Sequence, residues 1–453
     1  MRTKASRERY FDFSGVATVK VVQAYRAKYR ALSDLLDANR QVLAWVHRDW
    51  ARRLSTSAKG RKGYTSEQLL RALIVMFVEG EDYRGVVVRI EDSEFLQTFV
   101  RLGGKPTMDF TFLNKAFGVL SVATVAAMNR ALAEYAVREE KISGEKQRMD
   151  TTVYETAIHY PTDSSLLWDS FRTVARLVRG IQKELPPLGL QHRFHDRKVK
   201  KLATFIARNA AHKTKSTRRA VQRHYRKLLG SVRWIHAVGQ TVLERLVGAG
   251  YDAPALTHYL PLVARIIHQT RQRVIEGIML PADEKLYSLF EEHTELIQRG
   301  KAGKPVEFGH RILLAQTGEK FIHHYQVSAK RIEDPELLPG ALAAHQQLFG
   351  AYPDLAATDK GFYTSRAQIA ALEEKITTVS IAKKGRRTPA EYRRETSQAF
   401  IDGQRFRAGC EGSISVLKRA FKLGRCLFKG FKHYAASVGL AVLCHNLVLL
   451  TRL

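Results

Sequence analysis

Three acids sit where folding alone gives little reason for an acid. Gln147 to Glu155 reads as a short β-strand, with Met149, Thr151 and Val153 alternating against Asp150, Thr152 and Tyr154. Asp150 interrupts it, and a mid-strand carboxylate disfavours the pleat and is costly if buried without a partner. Two readings are open: an edge strand with Asp150 turned to water, or a strand that holds the carboxylate for a metal. A second short apolar strand, Leu355-Ala356-Ala357-Thr358, runs into Asp359 at a Gly turn. Further on, Arg407, Glu411 and Lys418 recur at steps of four and seven, so they share one face of a helix. An ordinary ion-pair ladder explains Arg407 and Lys418 but leaves Asp150 and Asp359 without a reason.

Brought together, three carboxylates repel, at about 4 kcal/mol per close pair for an effective dielectric near 20. Oxygen-seeking divalent cations remove that cost, and Mg²⁺ accepts carboxylates, water and phosphate oxygens. Two such ions about 3.5–4 Å apart activate a water or 3′-hydroxyl and stabilise the leaving oxygen of an in-line phosphoryl displacement. Arg407 and Lys418 would then meet phosphates. The competing chemistries lack their motifs: there is no Walker loop, no Gly-Xaa-Ser-Xaa-Gly, no His-Glu-Xaa-Xaa-His and no paired Cys-Xaa-Xaa-Cys.

The elements that must position these residues follow from the periodicity. Residues 16–60 carry apolar residues at helical spacing, followed by a basic loop at 58–63. Thr65 and Gln68 form a capping box for a helix bearing Leu69, Leu70, Leu73, Ile74 and Phe77, and Asp109 is an N-cap for 110–117. These short helices suit either a helix-turn-helix-like DNA-binding unit or a packing bundle. After the Asp150 strand, residues 157–160 suggest the second strand of a hairpin. Residues 165–300 turn to long helical patterns. Strands return with a hairpin, 310–316 against 320–327, whose His310, His323 and His324 are expected at the surface or facing nucleic acid. Then come a helix near 336–349, the Asp359 strand, a helix from 365 to 375, a strand at 377–382 and helices to the end. The apolar run 434–450 contains His445 and Asn446 and reads as a buried closing helix. The simplest architecture is a mixed α/β sheet with helices around it, interrupted by an insertion. The expected divisions are an N-terminal helical, DNA-binding segment (1–143), a first part of the core (144–164), a basic helical insertion (165–304) and a second part with the C-terminal helices (305–453).

The chain of 453 residues carries a net charge of +30, which points to a polyanionic partner, most simply nucleic acid. A membrane surface is the rival, but no basic amphipathic helix with an anchor stands out. The excess is concentrated at 191–227, where Arg197, Lys198, Lys200, Lys201, Arg218 and Arg219 are among many cations and Asp196 is the only acid. Trp168, Phe194, Tyr225 and Trp234 are interleaved there, fit for base stacking or core packing. Cys410, Cys426 and Cys444 have no metal-type spacing and read as thiols in a reducing compartment. No signal peptide is evident, so a cytoplasmic protein is expected.

The words Met149-Asp150-Thr151-Thr152-Val153, Tyr160-Pro161-Thr162-Asp163-Ser164, Thr358-Asp359-Lys360-Gly361-Phe362 and Arg407-(three)-Glu411-(six)-Lys418 occur in that order. Together they resemble the DDE transposases of bacterial insertion sequences, particularly the ISNCY-like group. The last word resembles that family's Tyr-(2)-Arg-(3)-Glu-(6)-Lys signature, with Gln404 where the Tyr is usual. The resemblance implies an RNase H-like catalytic core, with Asp150 on its first strand, Asp359 after a later strand and Glu411 on a helix. It implies that these three hold Mg²⁺ or Mn²⁺, two ions, while Arg407 and Lys418 position DNA. It further implies cleavage at terminal inverted repeats, joining of the 3′-hydroxyl to target DNA, and a dimer or higher oligomer on DNA. A nuclease with the same core but no strand transfer, and a non-catalytic DNA-binding regulator, are the alternatives.

Overall fold

The structure, a computed structural model, describes residues 3–5, 18–54, 63–301 and 303–453. The basic loop at 58–62 lies outside the described residues. The elements run α1 (Lys20–Ala38), α2 (Arg40–Arg53), α3 (Ser66–Val78), α4 (Tyr83–Glu91), α5 (Glu94–Val100), α6 (Phe110–Val119) and α7 (Val122–Arg138). Strand β1 (Lys146–Thr156) follows, then α8 (Asp163–Glu184), α9 (Asp196–Asn209), α10 (Lys215–Gly248) and α11 (Pro254–Thr270). The remainder is β2 (Glu295–Lys301), β3 (Lys304–Gln316), β4 (Ile322–Val327), α12 (Asp334–Phe349), β5 (Leu355–Ala357), α13 (Arg366–Glu373), β6 (Thr378–Ser380), α14 (Pro389–Glu395), α15 (Gln398–Ala420), β7 (Arg425–Cys426) and α16 (Phe431–Leu450).

Two compact units emerge, Met1–Glu155 with His310–Leu453, and Thr156–Gly309. In the first, β4, β3, β1, β5 and β6 lie side by side in that order, and β7 also pairs with β1. The β1–β5 and β5–β6 pairings are parallel and the β3–β4 pairing is an antiparallel hairpin. This mixed α/β arrangement is the expected RNase H-like one. Strand β1 is therefore central, not an edge: Gln147 to Met149 and Thr152 to Tyr154 are buried on both faces. The hairpin partner expected at 157–160 does not form; near its end β1 instead meets β7, with the Glu155 N–H donating to the Gly424 carbonyl.

Helices α1 to α7 share one apolar core with β3, β4, α15 and α16. The expected cap on α3 is present: Thr65 and Gln68 satisfy each other's backbone N–H groups. Ser66 through Phe77 are all buried, so α3 serves packing and is not available as a groove-reading helix. The single helical stretch expected at 16–60 breaks at Asn39, which caps one helix and starts the next. Helix α16 is long and apolar enough to cross a bilayer, but it is enclosed by the core, with Asn446 bonded to both the N–H and C=O of Ile322. His310, His323 and His324 are not at the surface. His310 is fully buried, while His323 and His324 are half-buried on β4, where desolvation holds both below the usual histidine range.

The second unit is built on α8 to α11, whose apolar faces form a separate core, and on β2 paired antiparallel with the first half of β3. Tyr225 is buried in that core, and Trp168 and Phe194 pack against it, so packing takes these three aromatics. Trp234 stays partly exposed beside Phe194.

Candidate active site

Register brings the two aspartates together. Arg148 lies opposite Ala357 in the parallel β1–β5 pair. Asp150 stands two residues further along β1, and Asp359 two residues past Ala357, just beyond the end of β5, close enough for its charge to act on Asp150. Asp359 leaves β5 as the N-cap of a short turn, its Oδ1 accepting from the Gly361 N–H at 2.8 Å. The Asp150 side chain is only 15% exposed. Its carboxyl is pushed up to about 6, first by burial and then by the Asp359 charge, against the Thr151 N–H and Arg407 that favour its ionised form.

The third acid arrives on α15. That helix buries Phe400, Gly403, Cys410, Ser413 and Leu417, spaced to form one face, and packs against β5 and β6. Two side chains tie it to the sheet. Gln404 donates to the carbonyls of Thr358, at 3.1 Å, and Ser380, at 2.7 Å, so the Gln in the usual Tyr position clamps the ends of β5 and β6. Arg148, buried in β1, donates to the Phe406 carbonyl at 3.0 Å and to the Gln316 side chain at 3.2 Å. Its guanidinium lies where a Cβ on Gly409 would be, so a glycine is what lets α15 come this close.

Glu411 is on the rim. Its side chain is 73% exposed, and Arg407 reaches it at 3.7 Å and Asp150 at 3.5 Å, standing between the two carboxylates. Among the described residues no three His, Cys, Asp or Glu side chains enclose an ion as they stand. Asp150 and Asp359 are the adjacent pair, and Glu411 joins them only by leaving Arg407. The donor set is all carboxylate oxygen, which suits Mg²⁺ or Mn²⁺ and disfavours soft metals.

Lys418 lies two turns beyond Glu411, in a groove it lines with Arg84, Arg419, Lys422 and Arg425, whose five cations outnumber the two acids there, Glu81 and Asp82. In the other unit, Arg197, Lys198, Lys200 and Lys201 on α9 and Arg218 and Arg219 on α10 are all exposed, a cationic surface suited to phosphates. Asp196, the lone acid there, is paired with Arg179.

Sequence reasoning missed Arg148, Gln316, Arg311 and Asp334. Arg148 had a signal: it stands two residues before Asp150 in one strand and so on the same side. Asp334 had only the look of a helix-start acid, followed by Pro335.

Residues 279–447 match the family model described as Transposase DDE domain. The matched span holds Asp359, Arg407, Glu411 and Lys418, and Asp150 precedes it. No curated protein and no solved structure matches the chain.

Proposed function

We infer that this chain acts as a DDE transposase of the insertion-sequence kind, a reading supported by the match of residues 279–447 to the Transposase DDE domain. Transposase action on DNA is the family's work. The finer reading is that this chain cuts at the terminal inverted repeats of its element and joins the freed 3′-hydroxyl to target DNA. Asp150 and Asp359 hold divalent cations, Mg²⁺ or Mn²⁺ and two in number, and Glu411 completes the set. Such ions supply activation of a water or 3′-hydroxyl and stabilisation of the leaving oxygen. Arg407, released from the two acids, donates to a phosphate beside the scissile bond, and Lys418 holds the backbone along the groove of Arg84, Arg419, Lys422 and Arg425. The exposed cations of α9 and α10 bind DNA without regard to sequence, and pairing of two ends calls for a dimer or larger assembly.

The observation that carries this reading is the proximity of Asp150, on β1, to Asp359, just past the end of the parallel neighbour β5. Changing Asp150, Asp359 or Glu411 singly to Ala should abolish cleavage of an end-bearing duplex in Mg²⁺, and retained cleavage in any one removes that residue from the set. Product analysis separates the nuclease alternative: joined DNA supports transposition, whereas cut ends alone support hydrolysis.

A further inference from the structure

We propose that Asp334 is a positioning residue for Asp150, acting through Thr151. This rests on the reading of Asp150 as a metal-holding carboxylate. Asp334 opens α12, where the helix dipole would be reason enough for an acid. An acid serving only the dipole can stay in solvent, yet the Asp334 side chain is 16% exposed and is engaged from the sheet. Arg311 of β3 donates to its Oδ1 at 3.1 Å, and the Thr151 hydroxyl of β1 donates to the same oxygen at 3.3 Å. Thr151 in turn donates its backbone N–H to Asp150 Oδ1 at 2.7 Å. One residue thus holds Asp150 with its amide while its own side chain is held by Asp334, and Arg311 balances the added charge.

The turn after Asp359 is shaped around the same carboxylate. A Cβ on Gly361 would come 2.7 Å from Asp359 Oδ1 and 2.8 Å from Asp334 Oδ2. The two carboxylates therefore converge over a residue with no side chain. Asp334 touches the surroundings of both aspartates while belonging to neither strand, which is the place of a residue that fixes ligands in orientation.

The test is Mn²⁺ titration of the full chain, read by the electron paramagnetic resonance of free Mn²⁺, with unfolding followed separately in chelator. Asp334→Ala and Thr151→Val should each weaken Mn²⁺ binding about tenfold; Asp334→Ala should also lower the metal-free unfolding midpoint, since it takes a partner from Arg311, whereas Thr151→Val should leave that midpoint nearly unchanged. The double variant should bind no more weakly than either single one, because both cut the same link. Asp334→Asn, which keeps an acceptor for the Thr151 hydroxyl, should recover part of the loss. Wild-type affinity in Asp334→Ala, or losses that multiply in the double variant, would overturn the proposal. Should Asp334→Ala fail to fold, the near-isosteric Thr151→Val decides it by the same criterion. Failure of the underlying reading looks different: the wild type itself would bind no Mn²⁺, or Asp150→Ala would bind as the wild type does.

Discussion

A carboxyl held at about 6 in a buried place has a thermodynamic signature. Asp150 ordinarily titrates at 3.8, so the folded protein holds its proton more tightly than the unfolded chain does. The penalty for ionising it is absent below about pH 4, grows between about pH 4 and 6, and is complete above that. Asp150→Asn should therefore stabilise the metal-free protein at pH 7.5, by at most about 3 kcal/mol, and should confer no gain at about pH 4. Thermal unfolding in chelator at the two pH values checks this, and equal shifts at both would show that Asp150 carries no such penalty. The same variant should lose cleavage, the expected trade of stability for chemistry at a site of crowded like charges.

Among the elements, α15 decides whether the site exists, since it must approach β1 closely enough for Glu411 to reach the aspartates. Two glycines with opposite surroundings test the role of that approach. Gly230, in α10, has nothing within 4 Å of where a Cβ would stand, so Gly230→Ala should stabilise by about 1 kcal/mol through helix propensity. Gly409→Ala gains the same propensity but displaces the Arg148 guanidinium from the Phe406 carbonyl. Losing a buried charged hydrogen bond costs about 1.5–3 kcal/mol, more than the propensity returns, so the sign reverses. Denaturant unfolding should show Gly409→Ala destabilised, and adding Arg148→Met should remove most of the further cost. Gln404→Ala strips a donor from the Thr358 and Ser380 carbonyls and should cost about 1–3 kcal/mol, with end cleavage falling as Asp359 loses its support.

At the scale of the molecule, charge governs the encounter with DNA. The chain's +30 excess is displayed in part by the exposed cations of α9 and α10, and their contribution should be electrostatic and independent of sequence. Replacing Arg197, Lys198, Lys200, Lys201, Arg218 and Arg219 with Gln should weaken binding to cognate and random duplex alike. It should also flatten the dependence of log affinity on log salt by up to about 5. A variant that lost sequence preference while keeping its salt slope would contradict this assignment.

Local pattern determined much of what is seen: the capping box at Thr65, the N-cap at Asp109, the hairpin of β3 and β4, the apolar closing helix α16 and the mixed α/β class. Each follows from spacing within a dozen or so residues, where side-chain periodicity and turn chemistry act directly. Motif order along the chain likewise pointed to the Transposase DDE domain that residues 279–447 match. Tertiary structure alone decided that β1 is central rather than an edge, that His310 is buried and His323 and His324 half-buried, and that Asp150 and Asp359 come close together. It alone placed Arg148 against α15 and Asp334 against Thr151. Those outcomes depend on strand neighbours and helix docking between segments far apart in sequence, and a periodicity carries no information about which distant partner a face will meet.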